Sequence, residues 1–233
     1  MNKLVRSVLW MPVKALMRLL PTHTYSDLRI KLINILSNVG ITNSKDRMDL
    51  GLIRFMEQKK GGVCLEVGGA DGIDQSNSLL LERVYGWKCF LVEPVASQHK
   101  MSVFFRPEAV SARYAFVSDK TYQTTKEITI NVSALGSSIS GGQDQSIHTE
   151  SVPTITLDGF IDHYNIRHID IFVLDVEGYE IEVLEGYKKN TGVIDYLLVE
   201  AFVYEIFNSY ALSRNWKFIK KLGNDYLFDL RSQ

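Results

Sequence analysis

Two acidic residues stand where apolar runs give way to turns. Val63-Cys64-Leu65 leads into Glu66-Val67-Gly68-Gly69-Ala70-Asp71-Gly72, and Cys89-Phe90-Leu91-Val92 leads into Glu93-Pro94. Glycines let the backbone take positive φ and let a ligand come close to the main chain. The first spacing is E-x-G-x-x-x-G, not the G-x-G-x-x-G of dinucleotide sites, where a pyrophosphate rests on a helix N-terminus. An acid closing that strand suits a ligand with cationic groups better than one with phosphates. An acid at the tip of the second strand is the usual partner of two ribose hydroxyls. A ligand that is both cationic and ribose-bearing is S-adenosylmethionine (SAM). On this reading Glu66, Gly68, Gly69, Asp71 and Gly72 surround its methionine end, and Glu93 takes the ribose. Asp71 either reaches the ligand's amino group or fixes the turn, and Glu93 alternatively caps a helix before Pro94.

Three more acids follow later apolar runs. Asp175 and Glu177 come after Ile169 to Leu174, and Glu200 comes after Ile194 to Val199. Two carboxylates at such a point could hold a hard divalent cation, which takes oxygen ligands and would acidify a substrate hydroxyl. Asp175 and Glu200 are the candidate ligands, with Mg²⁺ the candidate ion. Otherwise Glu177 or Asp175 could act as a general base beside a sulfonium methyl. A third possibility is that Glu177 only caps the next helix and Asp175 only binds the ligand amine. His148, at the end of a Gly/Ser/Gln-rich stretch, is the one histidine that could enter a cleft from a loop.

The elements needed to position these residues are legible as periodicity. Strands are expected at 63–67, 88–92, 113–117, 169–174 and 194–199, with helices at 75–85, from about 95, at 179–185 and at 203–213. Near-continuous apolar runs such as Ile171-Phe172-Val173-Leu174 suit strands buried on both faces of a parallel sheet. Residues 216–222 and 226–230, joined through Gly223-Asn224-Asp225, read as an antiparallel hairpin. Together these specify an α/β fold with a doubly wound, mostly parallel, Rossmann-like sheet. Ligands of such sheets lie beyond the carboxyl ends of the strands, which places adenine near Val117 and Ser118. Residues 127–132 and 152–156 alternate like strands, and Leu135 to Ser146 between them is a flap or a solvated loop.

Three blocks resemble the FkbM family of SAM-dependent methyltransferases. They are Leu65 to Gly72 with Ser76-Asn77-Ser78 and Leu81-Glu82; Gly86 to Pro94; and Thr156-Leu157-Asp158 with Ile171 to Glu180 and Leu184-Glu185-Gly186. Asp175-Val176-Glu177-Gly178-Tyr179-Glu180 is the most family-specific of these. The resemblance spans about residues 60 to 230 and adds Ser76, Asn77 and Pro94 to the expected cofactor-binding residues. It implies O-methylation of a sugar hydroxyl in a glycan or glycosylated metabolite. The rivals are methylation of a lipid or other small metabolite, and a non-catalytic membrane-associated module of the same fold. Some sugar O-methyltransferases of related fold set an Asp-x-Asp and further acids around magnesium. Asp175-x-Glu177 with Glu200 is similar only in part, since Ala201 stands beside Glu200.

At 233 residues and 45% hydrophobic, the chain suits one methyltransferase domain (46–233) and an N-terminal helical extension (1–45). Cys64 and Cys89 lie in expected core strands without ligand spacing, as in a reduced, cytoplasmic protein. Residues 1–60 carry a net charge of +7 and the remainder −8. An acidic body argues against nucleic acid as substrate. Asp27 to Leu36 and Asp46 to Gln58 read as helices. On a helical wheel Lys3, Arg6, Ser7, Lys14 and Arg18 share an arc of about 120°, interrupted by Pro12. This segment packs on the domain or on a second copy in a homo-oligomer, or lies at a membrane surface.

Overall fold

The computed structural model describes residue 42 and residues 44–133, 136–138, 148–188 and 193–231. The expected helix at 27–36, the basic stripe and most of 135–146 lie outside these. Among the described residues no helix is long and apolar enough to cross a membrane.

The apolar runs become strands because each can bury both faces. These are β1 (Val63–Val67), β2 (Lys88–Val92), β3 (Val110–Ala112), β8 (Ile169–Leu174) and β9 (Ile194–Val199), followed by β10 (Lys217–Leu222) and β11 (Asp225–Asp229). They form one sheet in the order β10-β11-β9-β8-β1-β2-β3. Pairing is parallel from β3 through β9, and β11 and β10 add antiparallel as a hairpin. Every residue of β8 is buried, as the continuous apolar run requires of a central parallel strand.

Helices cover both faces. On one side α1 (Met48–Phe55) and α2 (Leu79–Tyr85) meet Cys64, Cys89, Leu91, Ile171 and Val173. On the other, α5 (Leu157–His163), α6 (Glu180–Leu184) and α7 (Tyr204–Ser213) meet Leu65, Val67, Phe172, Leu174 and Leu197. Two further helices, α3 (Ala96–Phe105) and α4 (Asp119–Thr124), follow β2 and a short strand described below. The fold is thus doubly wound, and both cysteines are free and buried within it.

Some boundaries differ from expectation. α2 begins at Leu79 rather than Gln75, because Ser76, Asn77 and Ser78 are drawn into bonds with Glu66. Residues 46–58 hold a short 3₁₀ turn, Lys45–Arg47, before α1 ends at Phe55. The expected strand at 113–117 is corrected: the third sheet strand is Val110–Ala112. Ala115–Phe116 forms β4, which pairs with β7 (His148–Ile155) in a second sheet with β5 (Glu127–Ser133) and β6 (Gly136–Ser138), in the order β4-β7-β5-β6. The chain leaves the main sheet at Arg113, whose guanidinium bonds the Pro94 carbonyl, the Glu150 carboxylate and the Ser151 carbonyl. That charged anchor ties the two sheets together.

Candidate active site

Strand register sets the site. Val67 pairs with Val92 and Leu174, Leu174 pairs with Val199, and Val92 with Ala112. The next residue of each strand therefore falls in one row across the carboxyl edge: Glu200, Asp175, Gly68 and Glu93. Ladder bonds continue into that row. The amides of Glu200, Asp175, Gly68 and Glu93 donate to Leu174, Val67, Val92 and Ala112 at 3.1, 3.1, 3.0 and 3.1 Å. The strand order reverses between β1 and β8, where open α/β sheets hold their ligands.

Gly68 sits at that reversal with φ +84°, and a Cβ there would stand 1.7 Å from the carbonyl oxygen of Asp175. The glycine is demanded by close approach of two strand tips. Gly72, at φ +75°, leaves room for Arg106, whose Cδ would lie 3.2 Å from a Cβ. Gly69 faces the Glu66 side chain instead.

Glu66 points to the α2 face and is buried. Its carboxylate accepts from Ser76 Oγ (2.8 Å), the Asn77 amide (2.7 Å) and Ser78 Oγ, and pairs with Arg106 at 3.6 Å. Arg106 is wholly buried and also binds Glu82 at 2.8 Å and the Gly72 carbonyl at 3.2 Å. Glu66 and Ser76 thus hold the loop below the crevice together. Asn77 Oδ1 accepts from Ser44 Oγ at 2.5 Å. Asp71 Oδ1 accepts from the amides of Ile73 and Asp74, both at 2.8 Å, which is the turn-fixing arrangement.

Glu93 is buried at the tip of β2. Its two oxygens accept from the amides of Ala70 (3.0 Å) and Val95 (2.8 Å). Burial pushes its carboxyl up to about 7, and the charges of Asp71 and Glu150 act in the same direction.

Asp175, Glu177 and Glu200 can each direct an oxygen to within 4.8 Å of the others. Burial, then Glu200, Glu177 and Asp225, raise Asp175 to about 8. Burial and Glu200 raise Glu177 as well. Asp225, at the start of β11, is raised to about 7 by burial and by Glu200. Glu177 holds φ +54°, and Gly178 follows at +100°. The turn is secured by Glu180, whose Oε1 accepts from the Val176 and Gly178 amides at 3.3 and 3.0 Å. The capping role open to Glu177 is not found: α6 has Tyr179 at its N-cap and no side-chain cap bond, Glu180 fixes the turn before it, and Glu177 is exposed.

Val117 and Ser118 follow β4, not the third strand of the main sheet, so the positional ground for setting adenine there falls. Ser118 caps α4 through the Thr121 amide at 3.2 Å and donates to Glu182 at 2.8 Å. The Val117 carbonyl packs on Gly186. Pro94 contributes its carbonyl to Arg113. His148 begins β7 opposite Val132, and its side chain lies outside the described part.

Arg106, Lys45, Asp225 and Glu150 were not singled out by sequence, and Glu180 was named only as the end of a motif, without a role. For Glu180 a signal existed in Asp175-x-Glu177-x-x-Glu180. Arg106 gave none, since its partners lie 24 to 40 positions away. Lys45 Nζ stands 3.4 Å from Glu200 Oε1.

This sheet order, with acids at the tips of β2, β8 and β9 flanking a glycine turn, is the design of a Rossmann-like methyltransferase. The FkbM methyltransferase domain matches residues 66–226. The chain belongs to that family. No curated protein sequence matches the chain. Among solved structures, a methyltransferase from Geobacter sulfurreducens shares 14% identity and a TM-score of 0.46, covering 96% of both chains. A TehB-like SAM-dependent methyltransferase from Corynebacterium glutamicum shares 12% and 0.44, covering 85% of this chain and 92% of that one. A putative caffeoyl-CoA O-methyltransferase from Staphylococcus aureus shares 12% and 0.45, covering 94% and 98%.

Proposed function

We propose that this FkbM-family protein is a SAM-dependent O-methyltransferase whose acceptor is a sugar hydroxyl. The observation that carries the reading is the row of Glu93, Gly68, Asp175 and Glu200 at the strand reversal, with Glu177 beside it.

The row suits SAM. Each Glu93 oxygen accepts one amide and keeps a lone pair for a ribose hydroxyl. The acids of the β8 and β9 tips favour a ligand bearing a sulfonium and an ammonium. SAM supplies an electrophilic methyl to an in-line displacement. The protein's part is alignment and removal of the hydroxyl proton. Glu177, exposed beside Asp175, is the group we assign to receive that proton, and Asp175 lies nearest the cationic centre. A carboxyl held above its usual range accepts a proton more readily near neutral pH.

Support for a carbohydrate acceptor comes from Phe202. Its side chain is 67% exposed, and its ring edge would lie 3.6 Å from a Cβ at Gly178. An open aromatic ring next to carboxylates can take the C–H face of a sugar while the acids take its hydroxyls. Val203 and Ile206 extend the apolar rim, which also favours an acceptor carrying a lipid portion.

The test is transfer of labelled methyl from SAM to panels of free glycans, glycosylated metabolites and lipid-linked sugars. Labelled sugar, released from the acceptor and identified as an O-methyl ether, is expected. Label only on a nitrogen or on a non-sugar acceptor would overturn the acceptor assignment.

A further inference from the structure

A cluster of three carboxylates has the donor set of a hard-metal site, but this one already faces a cation. Lys45 lies outside the segment matched by the family and reaches the cluster from the chain preceding α1. Ser44 is fixed to Asn77 Oδ1 at 2.5 Å and bridges to Gln75. Asp46 and Arg47 both take left-handed φ values, +51° and +60°, a conformation that non-glycine residues rarely adopt. Asp46 packs on the β10–β11 turn, where a Cβ on Gly223 would stand 2.9 Å from its own. The segment is thus held at both sides, and between the holds Lys45 Nζ is 3.4 Å from Glu200 Oε1.

We propose that Lys45 is the resident cation of the Asp175–Glu177–Glu200 group, and that its ammonium takes the place of a divalent metal and keeps one out. A metal entering among these carboxylates would meet a like charge tethered 3.4 Å from Glu200 Oε1. The tethered ammonium offsets one unit of the cluster's negative charge, holds Glu200 in one orientation and leaves Glu177 free to receive a proton. Lys45 is therefore a positioning residue. The inference concerns the acids of the proposed reaction, but its test reads cation binding and can fail independently of SAM binding.

The experiment is titration of the full chain with Mn²⁺, followed by the loss of free-ion paramagnetic resonance, and with Mg²⁺ by calorimetry. The proteins are wild type, Lys45→Arg, Lys45→Met, Glu200→Gln and Lys45→Met with Glu200→Gln. Wild type and Lys45→Arg should show no saturable site below millimolar ion. Lys45→Met should gain one site at least tenfold tighter, and Glu200→Gln should remove it. Melting curves identify any variant that fails to fold. Wild-type behaviour decides the matter even then: one saturable wild-type site that Glu200→Gln abolishes overturns the proposal. Equal metal affinity in wild type and a folded Lys45→Met does so too.

Discussion

Gly68 and Asp175 touch across the strand reversal so closely that a Cβ on the first would stand 1.7 Å from the carbonyl oxygen of the second. The contact is backbone to backbone, so no rotamer change can relieve it. Gly68→Ala should pry the tips of β1 and β8 apart, cost at least about 3 kcal/mol of stability and abolish SAM binding. Gly61→Ala is the control. Gly61 also has positive φ, +69°, but nothing lies within 4 Å of its Cβ position. It should cost only the conformational strain, about 1–2 kcal/mol, and leave binding intact. Chemical denaturation of both variants checks this.

Arg106 joins Glu66 to Glu82 with no solvent exposure. Arg106→Met leaves two buried acids without their cation, a loss of roughly 3–5 kcal/mol for a broken buried pair. Glu66→Gln should be milder, because an amide oxygen in place of Oε2 still accepts from the Ser76 and Ser78 hydroxyls and only the bond from the Asn77 amide is lost. Denaturant midpoints give the order. If Arg106→Met melts like wild type, the buried network is not what holds the loop under the crevice.

Glu177→Gln keeps shape and removes the proton acceptor. It should bind SAM with unchanged affinity and lose turnover by about 10²–10⁴-fold. Asp175→Asn should weaken both, since that residue is placed beside the cationic centre. Single-turnover methyl transfer with binding measured separately resolves the two effects. Wild-type turnover by Glu177→Gln would move the base elsewhere.

Four buried or half-buried acids have folded-state values above their ordinary range: Asp49 to about 6, Glu93 and Asp225 to about 7, and Asp175 to about 8. For each, the folded state holds a proton that the unfolded chain has released above about pH 4. Stability should therefore fall as pH rises from about 5 to 8. Asp170 runs the other way: bonds from Lys59 and the Val63 amide lower it despite burial. Its contribution is present above the ordinary carboxylate range and is lost as pH falls through its lowered value. The ligand-free protein should thus melt highest near about pH 5, and Asp225→Asn should flatten the slope above it. A melting temperature that climbs from pH 5 to 8 would contradict the placement of these acids.

How far the sequence reached is clearest residue by residue. Val63–Val67, Lys88–Val92, Ile169–Leu174 and Ile194–Val199 were readable to their ends because local apolar runs, not distant partners, define them. The third strand was misplaced because Val110–Ala112 is only three residues long. The more apolar stretch from Tyr114 to Val117 pairs with a strand nearly 40 residues on. The helix Leu157–His163 carried a usable signal, Thr156 capping the Gly159 amide and Leu157, Phe160 and Ile161 on one face, that went unread. Glu93, Asp175 and Glu200 follow the apolar runs directly, so their place at the strand tips was legible. Glu66 was expected beside the ligand's methionine end, but it faces Ser76, Asn77, Ser78 and Arg106, and Arg106 comes from a part of the chain that no local pattern links to it.

Calorimetric titration of SAM at pH 6 and pH 8 tests most directly whether SAM binds at the row containing Glu93. Glu93 must be ionised to accept two ribose hydroxyls, and its carboxyl lies at about 7. Wild type should show one saturable site that is about tenfold tighter at pH 8 than at pH 6, following the ionised fraction. Glu93→Gln should weaken binding at pH 8 by at least tenfold and lose the part of the pH response centred near 7. Absence of saturable SAM binding by the folded wild type, or equal affinity in Glu93→Gln at both pH values, would contradict the account.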